Sequence, residues 1–145
     1  LRHLEDAEQA ALFRWAAWAP MPTAPDVFPG SKVADYLFAI PNGGKRDARE
    51  AARMKLQGVK AGVSDVLLPV KRGGSGGLWI ELKAPGGGRT SEAQKEWLVR
   101  MRYAGHRAIV CPGWLSAKAT IEWYLMLPNV VAIDAAPVAP MESAL

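Results

Sequence analysis

The residues best suited to chemistry in this chain are Asp65 and, sixteen positions on, Glu81 with Lys83. Asp65 opens the apolar run Val66-Leu67-Leu68, and Glu81 and Lys83 close the run Leu78-Trp79-Ile80-Glu81-Leu82-Lys83. Side chains alternate along a strand, so Glu81 and Lys83 share one face and Leu82 points to the other. Two carboxylates and an amine in this arrangement suit hydrolysis of a phosphodiester. Asp65 and Glu81 are hard oxygen donors of the kind Mg²⁺ accepts while keeping several waters, and the Leu82 backbone carbonyl between the two charged residues adds a third oxygen. Lys83 can hold or activate the attacking water, or neutralise charge on the phosphorane. The plain alternative is an ion pair at a strand end.

Positioning these groups requires two strands and their supports. Lys71-Arg72-Gly73-Gly74-Ser75-Gly76-Gly77 is a short glycine-rich turn, so the two runs form an antiparallel hairpin. Before it, Leu4 to Trp18 has helical periodicity with Leu4, Ala7, Ala11, Leu12, Trp15 and Ala19 on one face. Glu8 lies within that apolar arc, where a carboxylate must be paired, protonated or bound to metal; an arginine partner or a metal accounts for it equally well. Glu5 and Asp6 read as solvated first-turn acids. Pro20, Pro22, Pro25 and Pro29 form an irregular connection. Tyr36–Ile40 reads as a buried strand ended by a turn at Pro41-Asn42-Gly43-Gly44, and Asp47–Lys60 as a second helix.

After the hairpin, Ser91–Ala104 is a third helix stopped by Gly105, and Ala108–Cys111 a short buried strand. Ser116 caps a fourth helix running to Leu127, Val130–Ile133 adds an edge strand, and residues from Ala135 form a tail. The order of elements predicts an α/β domain over residues 1–134, with a mixed sheet covered on both faces. The helical crossover after the hairpin favours a parallel partner for its second strand.

Bulk properties narrow the function classes. The 145 residues, 50% hydrophobic and 22% charged, fit one domain. No apolar run approaches the ~20 residues needed to span a bilayer, and no signal peptide is visible at the front. Cys111 is the lone cysteine, which excludes an internal disulfide and a cysteine-based zinc site. An intracellular, cytoplasmic setting without membrane association is the expectation. A formal charge of +4 permits nucleic-acid binding without requiring it.

Four blocks in order carry a family resemblance. They are Pro41-Asn42-Gly43-Gly44-Lys45-Arg46, then Gln57-Gly58-Val59-Lys60-Ala61-Gly62-Val63-Ser64-Asp65, then Gly77 to Lys83, then Gln94 with Trp97. Together they resemble the short, stand-alone phage and bacterial members of the VRR-NUC family in the PD-(D/E)xK nuclease superfamily. Ser64 stands where many relatives have proline, at a position that is not a ligand. The resemblance implies a restriction-endonuclease-like fold, a mixed central sheet flanked by helices. It implies Mg²⁺- or Mn²⁺-dependent DNA cleavage, with Asp65, Glu81, Lys83 and Gln94 catalytic and Glu8 near the metals. It further implies action on branched DNA such as a Holliday junction, which suits a homodimer with two active sites. A nuclease for linear duplex and a non-catalytic nucleic-acid-binding module are the rival readings.

Several residues keep two readings. Gln94 shares a helix face with Trp97, Leu98 and Met101, and either orients Lys83, a phosphate or water, or closes a capping box with Ser91. Arg46, Arg49, Arg53 and Lys60 form a side of the second helix, with Lys45 just before it; this is a phosphate-tracking stripe or a solvated face. Lys71 and Arg72 enter a DNA groove or sit on a flexible hairpin tip. His106 follows a helix stop and has no ligand-spaced partner. The tryptophans read mostly as core, with Trp114, Trp123 and Tyr124 as a possible subunit interface.

Overall fold

Apolar alternation builds a four-stranded sheet in the computed structural model, which describes residues 2–41 and 46–129. Strands β1 (Phe38–Ala39), β2 (Val66–Leu68), β3 (Leu78–Lys83) and β4 (Arg107–Pro112) lie in that order. β1 pairs antiparallel with β2, β2 antiparallel with β3, and β3 parallel with β4. The glycine-rich turn makes the β2–β3 hairpin, and the crossover to β4 runs through α3 (Glu92–Tyr103), as the sequence predicts.

Val66, Leu68, Leu78, Ile80, Leu82 and Cys111 point to one face of the sheet. There α1 (Arg2–Ala16) buries Leu12, Trp15 and Ala16, and α4 (Trp114–Leu125) buries Ala117, Ile121, Tyr124 and Leu125. Each large apolar side chain taken fully out of water contributes ~1.5–3 kcal/mol, so this layer is the main source of stability. α3 covers the other face, with Trp97 edge-on to Trp79 at 5.2 Å and 80°. The Arg102 guanidinium donates twice to the Ala108 carbonyl, at 2.7 and 3.0 Å. Glu81 and Lys83 share Trp79's face and therefore lie beside the start of α3, in a mixed α/β fold.

Several local expectations change. Tyr36–Ile40 is not a buried strand: a 3-10 turn at Val33–Asp35 buries Val33 and Leu37, and only exposed Phe38 and Ala39 pair, at the sheet edge. The second helix is α2 (Ala48–Leu56), capped by the Asp47 carboxylate on the Glu50 N–H at 2.7 Å. It stops before Gly58, whose φ of +94° leaves the helical region, so Lys60 lies in the following loop. Ser116 sits inside α4, and Gly113 occupies the cap position. Leu4 and Ala7 are exposed, so the buried arc of α1 begins at Leu12 and Glu8 stands at its border. Among the tryptophans only Trp15 is buried; Trp18 and Trp123 are exposed. Tyr124 belongs to the core, where its hydroxyl donates to the Val70 carbonyl. Arg72 is buried against Asp26 at 2.8 Å, which ties the hairpin turn to the proline-rich connection and withdraws its charge from any groove. Val130–Ile133 and the tail from Ala135, like most of the turn at Pro41–Gly44, lie outside the described residues. No helix among the described residues is long and apolar enough to cross a membrane.

Candidate active site

The β2–β3 register that pairs Val66 with Ile80 places Asp65 opposite Glu81 when extended by one step. Directly opposed residues share a face, and here both are carboxylates. The ladder changes at this step, since the Leu82 N–H donates to Asp65 Oδ2 at 2.6 Å. On the other side of Asp65, its own carbonyl accepts the Ile40 N–H at 2.8 Å. Asp65 is thus held by backbone from β3 and from the residue after β1.

Glu81 and Lys83 are both buried at the end of β3. Glu81 Oε1 accepts from Gln94 Nε2 at 2.7 Å and lies 3.5 Å from Lys83 Nζ. Lys83 Nζ donates to Gln94 Oε1 at 3.1 Å. The same Gln94 oxygen accepts the Ser91 N–H at 2.9 Å, while Ser91 Oγ accepts the Gln94 N–H at 3.2 Å. Both readings of Gln94 therefore hold at once: its amide closes the cap of α3 and bridges Glu81 to Lys83. The helix cap fixes the rotamer that fixes the charged pair.

Electrostatics isolates the two carboxyls from their neighbours. Burial, then the adjacent Asp65 carboxylate, push Glu81 up to about 8, against the pull of Lys83. Burial also raises Asp65 above the ordinary carboxylate range, opposed by the Leu82 N–H and by Lys83. Glu81 Oε2 is buried without a hydrogen-bond partner among the described residues. A positive charge between the two carboxyls would resolve both features. A divalent cation fits this donor set, since Mg²⁺ typically takes one or two carboxylates and completes its shell with water and phosphate oxygens.

The acids of α1 divide unexpectedly. Glu8 Oε2 accepts the Trp114 N–H at 2.7 Å, so it caps α4 from a neighbouring helix, and no arginine pairs with it among the described residues. Gly113, between them, also donates its N–H to the Lys83 carbonyl at 2.8 Å. Among the described residues no three His, Cys, Asp or Glu side chains gather as a metal-holding group, so Glu8 does not join Asp65 and Glu81 in this conformation. Glu5 is instead the α1 acid whose charge acts on Asp65. A Cβ placed on Gly88 would lie 3.5 Å from Glu5 Oε1 and 3.3 Å from Lys83 Cδ, so the Gly86–Gly88 loop runs between them. The only signal for Glu5 in the chain is its i, i+3 relation to Glu8, which puts both on one helix face.

Ser64, just before Asp65, is fully buried and its hydroxyl has no hydrogen-bond partner among the described residues. A buried unsatisfied polar group costs ~1–3 kcal/mol. Ser64→Ala should therefore raise the urea midpoint, by about 1 kcal/mol in unfolding free energy; a lower midpoint would mean that the hydroxyl has a partner.

The basic candidates separate as well. Arg49 and Arg53 are exposed on α2, while Arg46 is half-buried and donates to the Pro41 carbonyl at 3.3 Å. Lys60 is exposed in the loop after α2, and Lys45 lies outside the described residues.

The chain is similar to known proteins in sequence and in fold. The family model of the VRR-NUC domain matches residues 34–114, from the turn before β1 through the start of α4. A solved structure described as a "VRR_NUC domain protein" is 31% identical, superimposes with a TM-score of 0.71, and is aligned over 86% of this chain and 89% of its own. No curated protein matches the chain. With the model spanning more than half of the sequence and the fold shared along most of both chains, the chain belongs to the VRR-NUC domain family, a nuclease-type domain.

Proposed function

We propose that this protein is a divalent-metal-dependent DNA endonuclease, cutting phosphodiester bonds at Asp65, Glu81 and Lys83. The observation that carries this reading is the opposed Asp65–Glu81 pair, in which Glu81 Oε2 is buried without a hydrogen-bond partner among the described residues while Oε1 lies beside a lysine held by Gln94. Asp65 and Glu81 would hold Mg²⁺ or Mn²⁺, with the Leu82 carbonyl as a further oxygen. The bound cation would supply Lewis-acid activation of the phosphodiester and of the attacking water. Lys83 has three N–H donors, of which Gln94 and Glu81 engage two. The remaining one is free to orient water or to offset charge that grows on the phosphoryl oxygens. Gln94 acts by holding Lys83 and Glu81 in one geometry.

Glu8 and Glu5 support the site at different removes. Glu8, through Trp114 and Gly113, steadies the end of β3; Glu5 adds negative field near Asp65. Measured separately, Glu5→Gln should weaken the Mg²⁺ dependence of cleavage about tenfold. Glu8→Ala should lower stability by about 1 kcal/mol, as loss of a helix cap does. The reverse pattern, with metal dependence moving only in the Glu8 variant, would make Glu8 the metal-side acid.

Branched DNA such as a four-way junction is the proposed substrate, on the strength of the resemblance to stand-alone VRR-NUC proteins, and a homodimer the proposed form. Leu115 and Trp123 on α4, with Met126 just after it, are exposed and supply apolar surface for such a contact. Arg46, Arg49, Arg53, Lys60 and Lys45 are the proposed phosphate contacts. Labelled four-way junction, flap and linear duplex, each with Mg²⁺ or Mn²⁺ and with chelator, test the reading. Metal-dependent nicking of the junction is expected. No cleavage with any divalent metal would reduce the protein to a binding module, equal cleavage of linear duplex would remove the junction preference, and a purely monomeric sedimentation profile would remove the dimer.

A further inference from the structure

A groove of about 620 Å³ runs between α2 with its following loop and the exposed face of α3, outside the set of groups that carry the chemistry. α2 buries none of its residues, so its inner side is presented across the groove and not spent on the core. Met54, Val59 and Trp97 make an apolar floor. Trp97 is braced edge-on by Trp79 at 5.2 Å, which keeps its ring from collapsing into the gap. The rim carries Arg46, Lys55, Lys60 and Arg100 against a single carboxylate, Glu96, itself 3.6 Å from Arg100.

The groove adjoins the candidate active site. Ala93 and Trp97 line it, and Gln94 lies between them in sequence on the same helix. Gly62, three residues before Asp65, is packed directly on Ala93. Cations alone would suit any nucleic acid, because phosphates are common to all of them. An apolar floor with an aromatic ring adds something only an unpaired strand can use, because duplex bases are already stacked on one another.

We infer that this groove binds single-stranded DNA, such as an unpaired stretch of a branched substrate next to the cleaved bond, with bases against Met54, Val59 and Trp97 and phosphates against Lys55, Lys60 and Arg100. The orientation rests on the nuclease reading above; the binding does not. Arg49 and Arg53 do not line the groove and are left to face duplex arms.

Fluorescence anisotropy of a labelled twelve-residue oligo(dT), in chelator and low salt, separates the two. The wild type should bind it at least tenfold more tightly than a blunt duplex of equal length. Lys55→Glu with Arg100→Glu should weaken oligo(dT) binding at least tenfold, and Met54→Asp severalfold, whereas Arg14→Glu, exposed on α1 and away from the groove, should change it less than twofold. Circular dichroism melts check that each variant is folded; all the substituted positions are exposed except half-buried Met54. Equal binding of duplex, or an Arg14→Glu loss as large as that of the groove variants, would overturn the assignment. Oligo(dT) binding with this pattern, but without metal-dependent cleavage of any substrate, would keep the groove and reject the nuclease reading.

Discussion

Glu81→Gln should abolish cleavage, by roughly a thousandfold or more, and at the same time make the metal-free protein more stable. Both halves follow from one atom. Glu81 Oε1 is already satisfied by Gln94 and Lys83, whereas Oε2 is buried beside the Asp65 carboxylate with no partner among the described residues. An amide keeps the first set of contacts. Its NH₂ group, in the place of Oε2, can donate to Asp65, which removes the repulsion and also removes a metal ligand. Lys83→Met, by contrast, should lose activity and stability together, since it strips a buried pair of its cation.

The pH dependence gives the sign. Glu81 titrates near 8 in the metal-free fold and near its ordinary value of 4.5 when unfolded. Between those values the folded protein holds a proton that the unfolded chain has released, so stability declines as pH rises through that window. Below about 4.5 the group contributes no penalty, and above 8 the penalty is complete. At pH 7 it is on the order of a few kcal/mol, so Glu81→Gln should raise the melting temperature by roughly 5–10 °C and flatten its fall between pH 5 and 8. Saturating Mg²⁺ should stabilise the wild type and not the variant, as expected for a ligand bound only by the folded form. A variant that cleaves normally, or whose melting temperature drops while its circular dichroism stays native, would remove Glu81 from the metal site.

The corner formed by Asp65, Glu81 and Lys83 is legible in the chain because its signal is local. Strand alternation fixes that Glu81 and Lys83 share a face, and a short glycine turn fixes an antiparallel partner, so Asp65 had few places to go. The capping box at Ser91 and Gln94 was equally local, and its geometry turned out to be compatible with the bridge to Lys83. What the chain did not reveal depends on partners distant in sequence. Glu8 interacts with a backbone N–H 106 positions away, and no periodicity of α1 points to it. Arg72 looked available because it sits among glycines, yet Asp26 draws it inward from the proline-rich connection. Apolar content around Phe38 suggests burial, but an edge position with one neighbour leaves its residues exposed. The basic run on α2 suggested one stripe; Gly58 ends the helix first and sends Lys60 elsewhere.

Gly62, in the loop between α2 and β2, can set the geometry of the site. Its φ is +83°, and an added Cβ would lie 2.5 Å from both the carbonyl carbon and oxygen of Ala93. These are backbone atoms of the first turn of α3, so no side chain can swing away to make room. Either α3 shifts, carrying Gln94 with it, or the approach to Asp65 does. Gly62→Ala should therefore cost roughly 3 kcal/mol, from left-handed strain of ~1–2 kcal/mol and overpacking of ~1–3 kcal/mol. It should also cost about a hundredfold in cleavage rate, because a displacement near 1 Å between catalytic groups has that effect. Gly30→Ala is the control, with a φ of +81° and open space where its Cβ would go. It carries the strain without the collision, and should lose ~1–2 kcal/mol while cleaving normally. If the two variants lost equal stability and both kept full activity, the close approach of Gly62 to Ala93 would have no part in aligning Gln94 with Asp65, and backbone strain alone would explain the glycine.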